Sequence, residues 1–277
     1  MKKNILMILI NYNNHSEVIE YCEKVYSQIR KNYTITIKIV DNSSNIEERK
    51  ALVNSLKDYE SIKIYSDNDN LGYFKAANYA YEKSISEKEH YDWFIISNTD
   101  IDYKENDFFE QLISKYPLGY PGIIAPSIIS LKSKRDQNPY AIKRFSKKRL
   151  VFYKNLYKSD FLTKIASIVL RIRNKKIKGD NVTKTIVDNE IYAPHGAFVI
   201  LNNHYFDVGG DLRYDSFLFC EEIYLGEISK EIGTKIKYDN SLIVIHDEHS
   251  STSLVKKNKM LKYSRESIEY ILDKFYT

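Results

Sequence analysis

Apolar and polar positions follow two rhythms along the first half of the chain. Asn4–Ile10 is a short, almost unbroken apolar run, the pattern of a strand covered on both faces. From Ser16 to Arg30 the apolar residues Val18, Ile19, Cys22, Val25, Tyr26 and Ile29 recur at helical spacing, with Glu17 near the start. Ile35–Val40 is β-branched and strand-like. The polar cluster Asp41 to Asn45 turns the chain and can cap a helix over Ile46 to Lys57. The same succession predicts a strand at Ser61–Tyr65, a helix from Phe74 to Ser84, and a strand at Trp93–Ile96. A helix from Asp107 to Lys115 and a strand opening at Ile123–Ala125 complete it. Strand and helix alternate four times, which implies right-handed βαβ units: an α/β fold with a mainly parallel sheet and helices on both faces. Ligands of such sheets bind beyond the carboxyl ends of the strands. Here those ends are polar: Asn11, Asp41, Asp67, Asn98 and Asp100.

Charge divides the chain further. Of 277 residues, 42 are Lys or Arg and 37 Asp or Glu, a net charge of only +5. Yet Lys132 to Lys184 holds 17 bases against 3 acids, leaving 25 bases and 34 acids elsewhere. Such asymmetry points to a local anionic partner rather than a basic protein as a whole. The segments expected are therefore a ligand-binding half at 1–130, a basic and partly helical insert at 131–185, a second half at 186–254, and a C-terminal helix at 255–277. Within the insert, Phe161, Ile165, Ile168, Val169 and Ile172 make one apolar stripe. Lys164, Arg171, Arg173, Lys175, Lys176 and Lys178 supply cations around it. A helix of this kind either lies on an anionic bilayer or packs on its own domain. Nucleic acid is not expected, because no recognition motif accompanies the charge. Lys256 to Phe275 reads as a helix with one apolar side, fit to cover the core or to pair two subunits.

Composition narrows the class. A hydrophobic fraction of 43% is enough for a core. The 2 Cys allow no disulfide framework and no Cys-rich zinc site, which suits a reducing cytoplasm. No apolar run reaches the length of a spanning helix, and the N-terminal Met1-Lys2-Lys3 with its short apolar stretch is a strand rather than a signal peptide. The 24 Tyr are read as compositional bias rather than chemistry. After the first strand stands Asn11-Tyr12-Asn13-Asn14-His15, without the glycines of a dinucleotide-binding turn. Neither a P-loop nor a G-x-S-x-G elbow occurs. The remaining way to hold a diphosphate is a divalent metal on carboxylates. Asn98-Thr99-Asp100-Ile101-Asp102, past the end of a buried strand, suits one, although paired Asp residues there also serve as turn formers and caps.

The ordered motifs Ile8-Leu9-Ile10-Asn11-Tyr12-Asn13, Val40-Asp41-Asn42-Ser43-Ser44, Asn70-Leu71-Gly72-Tyr73 with Ala77-Asn78, and Ser97-Asn98-Thr99-Asp100 resemble family 2 glycosyltransferases. The likeness is nearest to rhamnosyltransferase-type enzymes of bacterial cell-surface polysaccharides. It lapses over the basic segment and resumes at His195-Gly196-Ala197-Phe198, Gly209-Gly210, Glu221-Glu222 and His246. The resemblance implies a GT-A (Rossmann-like) fold and a nucleotide-diphosphate sugar as donor, UDP- or dTDP-linked. A saccharide, lipid-linked in this branch, would be the acceptor. Asn11 and Tyr12 would line base and ribose, with Asp41 accepting a hydrogen bond there or else capping the next helix. Asp69, Asn70 and Gly72 would border the nucleotide. Asn78 would face the sugar-phosphate region or stand as an ordinary helix residue. Gly196 and Ala197 would leave room beside the donor sugar.

By the same resemblance Asp100 is the metal ligand, for Mg2+ or Mn2+. Asn98 replaces the first acid of the family's D-x-D motif and would bond ribose or sugar instead. Asp102 would support the metal or cap a helix, and His246 would ligate it or be structural. Glu222 maps to the catalytic base of an inverting transfer, with Glu221 as neighbour or substitute. The family more often has Asp at that position. The pair would also favour a helix N-terminus on electrostatic grounds alone. Two other classes compete. One is a non-catalytic GT-A-like module that binds nucleotide or membrane as a scaffold. The other is a nucleotidyltransferase, which would want a Gly-rich basic loop that is missing.

Overall fold

Why the first strand is apolar throughout becomes clear from its place in the sheet. In the computed structural model, which describes residues 2–66, 69–117, 120–159, 189–248 and 257–276, β1 (Lys3–Asn11) is a central strand. Ile5 to Leu9 are fully buried. β1 pairs in parallel with β2 (Tyr33–Asp41) on one side and β4 (Trp93–Ser97) on the other, and β3 (Ile62–Tyr65) extends the parallel set beyond β2. The pleat sends Leu6 and Ile8 to one core and Ile5, Met7 and Leu9 to the other, so both faces must be covered. α1 (His15–Ser27), α2 (Ile46–Leu56) and α4 (Phe108–Lys115) supply one cover, and α3 (Phe74–Ser86) packs on the opposite face. α1 buries Val18, Tyr21, Cys22 and Val25, one helical face. Asn45, not Asp41, caps α2, accepting from the Glu47 N–H at 2.9 Å.

Beyond β4 the pairing changes sense. β8 (Phe198–Asn202) runs antiparallel between β4 and β6 (Ile123–Ser130). β9 (Ile236–His246) is parallel to β6, and the sheet order is β3-β2-β1-β4-β8-β6-β9-β5, with β7 (Glu190–Ile191) also on β9. Strands from the first and second halves thus interleave in one nine-stranded sheet. The three-residue β5 (Ile101–Tyr103) carries no periodic signal of its own. It pairs antiparallel with the end of β9, setting Ile101 opposite His246. The chain therefore crosses the top of the sheet between β4 and β5, and this crossing carries Asn98, Thr99 and Asp100.

Of the basic segment, the described part includes α5 (Lys147–Leu156), capped by the Ser146 hydroxyl. The amphipathic stretch Phe161–Arg173 and Lys175, Lys176 and Lys178 lie outside the described residues. After the short α6 (Asn203–Asp207), α7 (Glu221–Glu231) begins two residues earlier than the sequence pattern indicates, so that both acids belong to its first turn. α8 (Lys257–Phe275) lays Ile268, Ile271 and Leu272 into the core and packs on α5; its apolar side is used within the chain. No helix among the described residues is long and apolar enough to cross a membrane.

Candidate active site

A cavity of about 670 Å³ opens where the parallel strands end, the size of a small-molecule site. Asn11 and Tyr12, following β1, form one wall, with Asn42 from β2 and Asn70 and Gly72 from the loop before α3. Asn11 is held from behind. Its amide donates to Asp41 at 3.0 Å and to the Ser43 hydroxyl at 3.2 Å. Asp41 is fully buried and also accepts from the Ser43 N–H and from Arg49 Nε, at 3.1 and 3.2 Å. Its carboxylate stands behind the wall and orients Asn11.

The 70–73 loop is clamped from both sides. Asn42 accepts from the Leu71 N–H and donates to the Gly72 carbonyl, at 3.1 and 2.9 Å. Gly72 has φ of +79°, and a Cβ there would come within 2.1 Å of the Phe217 carbonyl oxygen. Only glycine meets both conditions. The next residue, Tyr73, donates its N–H to that carbonyl at 3.3 Å and its hydroxyl to the Gly196 carbonyl at 3.0 Å. Burial, with Glu221, Glu222 and Asp100 nearby, pushes the Tyr73 phenol far up, so it remains a donor.

The opposite wall carries the acids. Glu221 and Glu222 both line the cavity from the first turn of α7. That turn is entered through Phe219 and Cys220, with φ of 72° and 64°, both in the left-handed region. Two consecutive non-glycine residues there are costly, and the Tyr214 hydroxyl donates to the Phe219 carbonyl at 2.6 Å to hold the bend. Glu222 accepts from the Gly196 N–H at 3.3 Å, and a Cβ on Gly196 would lie 3.0 Å from the same carboxylate oxygen. Burial raises the pKa of both acids, and for Glu221 the Glu222 charge adds to it. His195, beside them, is held down to about 4 by burial and by His246, so its ring is neutral at pH 7. It accepts the Ala197 N–H on Nδ1 at 3.2 Å.

Asp100 lines the cavity at the crossing between β4 and β5, and His246 Nε2 lies 3.2 Å from its Oδ1. That nitrogen and Asp100 Oδ2 are both buried without a hydrogen-bond partner among the described residues. Gln137 donates its amide to Glu248 at 2.7 Å, so its oxygen faces His246 Nδ1, also at 2.7 Å. With Nδ1 engaged by Gln137, Nε2 is the ring nitrogen left facing the Asp100 carboxylate. This pair of nitrogen and oxygen donors, each with an unpartnered buried atom, would suit a divalent metal. No group of three or more His, Cys, Asp or Glu suited to a metal occurs among the described residues. Protein donors would therefore fill only part of a coordination shell.

Asn98, Gly196 and Ala197 line the cavity with these residues. Three expected residues stand apart. Asp102 points away, pairing with Lys24 at 3.5 Å, because Asp100 is in a turn and the strand alternation starts only at Ile101. It borders a smaller cavity of about 280 Å³ whose wall Asp100 shares. Asn78 is on α3 and donates to Glu82 one turn on, outside the cavity. Asp69 is exposed and does not line it. The sequence reading missed Glu17, which accepts from the Thr99 hydroxyl at 2.6 Å and faces the cavity, and it gave no role to Asn42 or Tyr73. It also missed Lys259 and Tyr263 of α8. The i, i+4 spacing of those two was legible, but not which neighbour that face meets.

A parallel βα sheet that turns antiparallel at β8, with this cavity at its switch, has the GT-A glycosyltransferase fold. Residues 7–177 match glycosyl transferase family 2, and the chain belongs to that family. Among curated proteins none matches the sequence. Solved structures share the fold. Mannosyltransferase PcManGT of Pyrobaculum calidifontis, in complex with GDP-Man and Mn2+, aligns at 9% identity and TM-score 0.54, over 92% of this chain and 60% of its own. GalNAc-T7 with UDP, GalNAc and Mn2+ aligns at 13% identity and TM-score 0.60, over 99% and 50%. TarS of S. aureus aligns at 11% identity and TM-score 0.56, over 99% and 40%. The chain thus spans 40% to 60% of the length of these proteins.

Proposed function

We propose that the protein transfers a sugar, with inversion, from a nucleotide-diphosphate donor to a saccharide acceptor. One observation carries the reading: Asn11 and Tyr12, Asp100, and the Glu221–Glu222 pair face a single cavity, as a donor and a base would require. The amide wall of Asn11, Asn42 and Asn70 would take the nucleoside. Gly196 and Ala197 leave space for the sugar, since any longer side chain at 196 would press on Glu222. Asp100 and His246 would hold Mg2+ or Mn2+, which when bound offsets the charge that grows on a departing diphosphate.

Glu222 accepts the acceptor hydroxyl's proton as that oxygen attacks the anomeric carbon opposite the diphosphate. Its raised pKa brings its proton affinity closer to neutral pH, where a general base is most effective. The Gly196 N–H steadies one carboxylate oxygen, and the Tyr73 hydroxyl steadies Gly196 in turn. Glu221 lies deeper beside it, and two buried neighbouring acids disfavour carrying two full charges, so the pair tends to keep a proton. No covalent intermediate is needed.

Likeness to rhamnosyltransferase-type motifs supports a bacterial surface saccharide as acceptor. The described start of the basic insert supports an anionic surface beside it. α5 exposes Val151 and Phe152 next to Lys147 and Lys148. Sedimentation with anionic vesicles, bound at low salt and released at high salt, would support that placement, and equal binding to neutral vesicles would refute it. For the activity itself, the test is transfer or donor hydrolysis across a panel of nucleotide sugars with and without Mn2+. Turnover with one donor is expected. Tight nucleotide binding with no turnover for any donor would favour the scaffold reading.

A further inference from the structure

The charge of the cavity does not match the ligand proposed for it. Its lining includes four carboxylates, Glu17, Asp100, Glu221 and Glu222, and among the described residues a single Lys or Arg, Lys259. A diphosphate entering such a space meets net repulsion unless cations are supplied at the right points. One such point lies at Asp100 and His246. Lys259 is the other, and it comes from the C-terminal helix rather than from the sheet.

The register of α8 puts it there. Lys259, Tyr263, Ser267 and Ile271 follow each other at i+4, on one face. Ser267 and Ile271 are fully buried, and the Ser267 hydroxyl donates to the Leu218 carbonyl. Tyr263 packs its ring 4.8 Å from that of Phe217, the residue whose carbonyl receives the Tyr73 N–H. The face that locks α8 to the 216–219 loop therefore emerges over the cavity as Tyr263 and Lys259. Lys259 is exposed and makes no ion pair among the described residues, although Lys262, one turn away, pairs with Glu266.

We propose that Lys259, presented by α8 and backed by Tyr263, binds the diphosphate of the donor and of the departing nucleotide. The proposal rests on the donor reading above. It makes the C-terminal helix part of the binding site, with Lys259 as a contact that does not depend on metal.

Calorimetric titration of the full chain with inorganic pyrophosphate, UDP, GDP and dTDP, and with the matching monophosphates, tests it with and without Mn2+. For whichever diphosphate binds, Lys259→Ala should weaken affinity by about 10-fold or more, as expected for a charge-assisted hydrogen bond. The monophosphate should lose less, Lys259→Arg should recover most of the affinity, and Lys262→Ala should change nothing. The deficit should shrink in high salt, since the contact is partly exposed. Unchanged diphosphate affinity in Lys259→Ala, or equal losses for mono- and diphosphates, overturns the proposal alone. If the wild-type chain binds no nucleoside diphosphate, the donor reading falls and this inference falls with it.

Discussion

Replacing Glu222 by Gln separates catalysis from binding and from folding, because the structure sets three effects with different signs. The amide has the volume of the carboxylate and keeps an oxygen that can accept the Gly196 N–H at 3.3 Å, so the cavity wall should stand. What is lost is a proton acceptor. A placed general base contributes about 10²–10⁴-fold, or about 3–5 kcal/mol of barrier at 1.36 kcal/mol per decade. Transfer should fall by that factor, while the dissociation constant for the nucleoside diphosphate changes less than about 3-fold. Stability should move the other way. Burial raises both acids above the ordinary carboxylate range, so the folded chain holds protons more tightly than the unfolded chain. That costs stability as pH climbs from the unfolded pKa through the folded ones. Glu222→Gln removes one of the two buried charges, so Tm at pH 8 should rise and its decline between pH 5 and 8 should flatten. Single-turnover transfer, nucleotide titration and a pH series of thermal melts read the three effects. Transfer retained within about 10-fold of wild type would refute Glu222 as the base. So would parallel losses of transfer and nucleotide affinity.

Other consequences follow from the same geometry. Asp100→Asn should remove Mn2+-dependent stabilisation in thermal shift, with little change in Tm without metal. An unchanged Mn2+ response would put the cation elsewhere. Gly72→Ala must force a positive φ on a side chain and drive Cβ toward the Phe217 carbonyl, costing about 2–4 kcal/mol in chemical denaturation. A cost under about 1 kcal/mol would contradict the clamp. The Glu227 carboxylate in α7 is 3% exposed and is bound by Arg144 Nε at 2.8 Å and by the Tyr192 hydroxyl at 2.6 Å. Arg144→Ala should destabilise by about 2–3 kcal/mol, less than for a fully buried pair because the guanidinium is 36% exposed. Arg144→Lys should restore only part, since the bidentate contact is lost.

How much of this could be read from residues alone depends on the range of the interaction. The parallel half was legible because each strand and helix there buries its own face: Ile5 to Leu9, or Val18, Tyr21, Cys22 and Val25, declare themselves locally. β5 was not, because three residues have no period and its existence depends on the far end of β9. Asp102 was expected to support a metal or cap a helix, and it pairs with Lys24 instead. The chain is still turning at Asp100 and strand alternation begins only at Ile101, which spacing in the sequence does not reveal. Asp41 was expected to bond base or ribose or to cap α2; it does not line the cavity but lies buried behind Asn11, and its bonds to Asn11, Ser43 and Arg49 could not be read from spacing. Tyrosine was set aside as composition, and here the reading was too coarse. Tyr73 joins the 70–73 loop to Gly196, and Tyr263 joins α8 to Phe217, each through contacts between residues distant in sequence.

The arrangement also explains why the two acidic centres can coexist in one cavity. Asp100 faces the His246 ring and keeps one buried oxygen without a hydrogen-bond partner among the described residues, which suits it to a cation. Glu222 faces an amide N–H and a neighbouring acid, so its environment instead favours taking up a proton. The same cavity thus offers one carboxylate suited to metal and phosphate and another suited to a hydroxyl proton. Gly196 ties Glu222 to the 70–73 loop, its N–H on Glu222 and its carbonyl on Tyr73. Gly196 thus fixes one oxygen of Glu222, and a group that takes a proton must be held in place to act. Gly196→Ala tests that dependence. Its Cβ would sit 3.0 Å from the Glu222 oxygen, displacing the carboxylate by a few tenths of an ångström. Transfer should drop by about 10-fold or more with nucleotide affinity preserved. A variant with full transfer would show that the position of Glu222 does not limit the reaction.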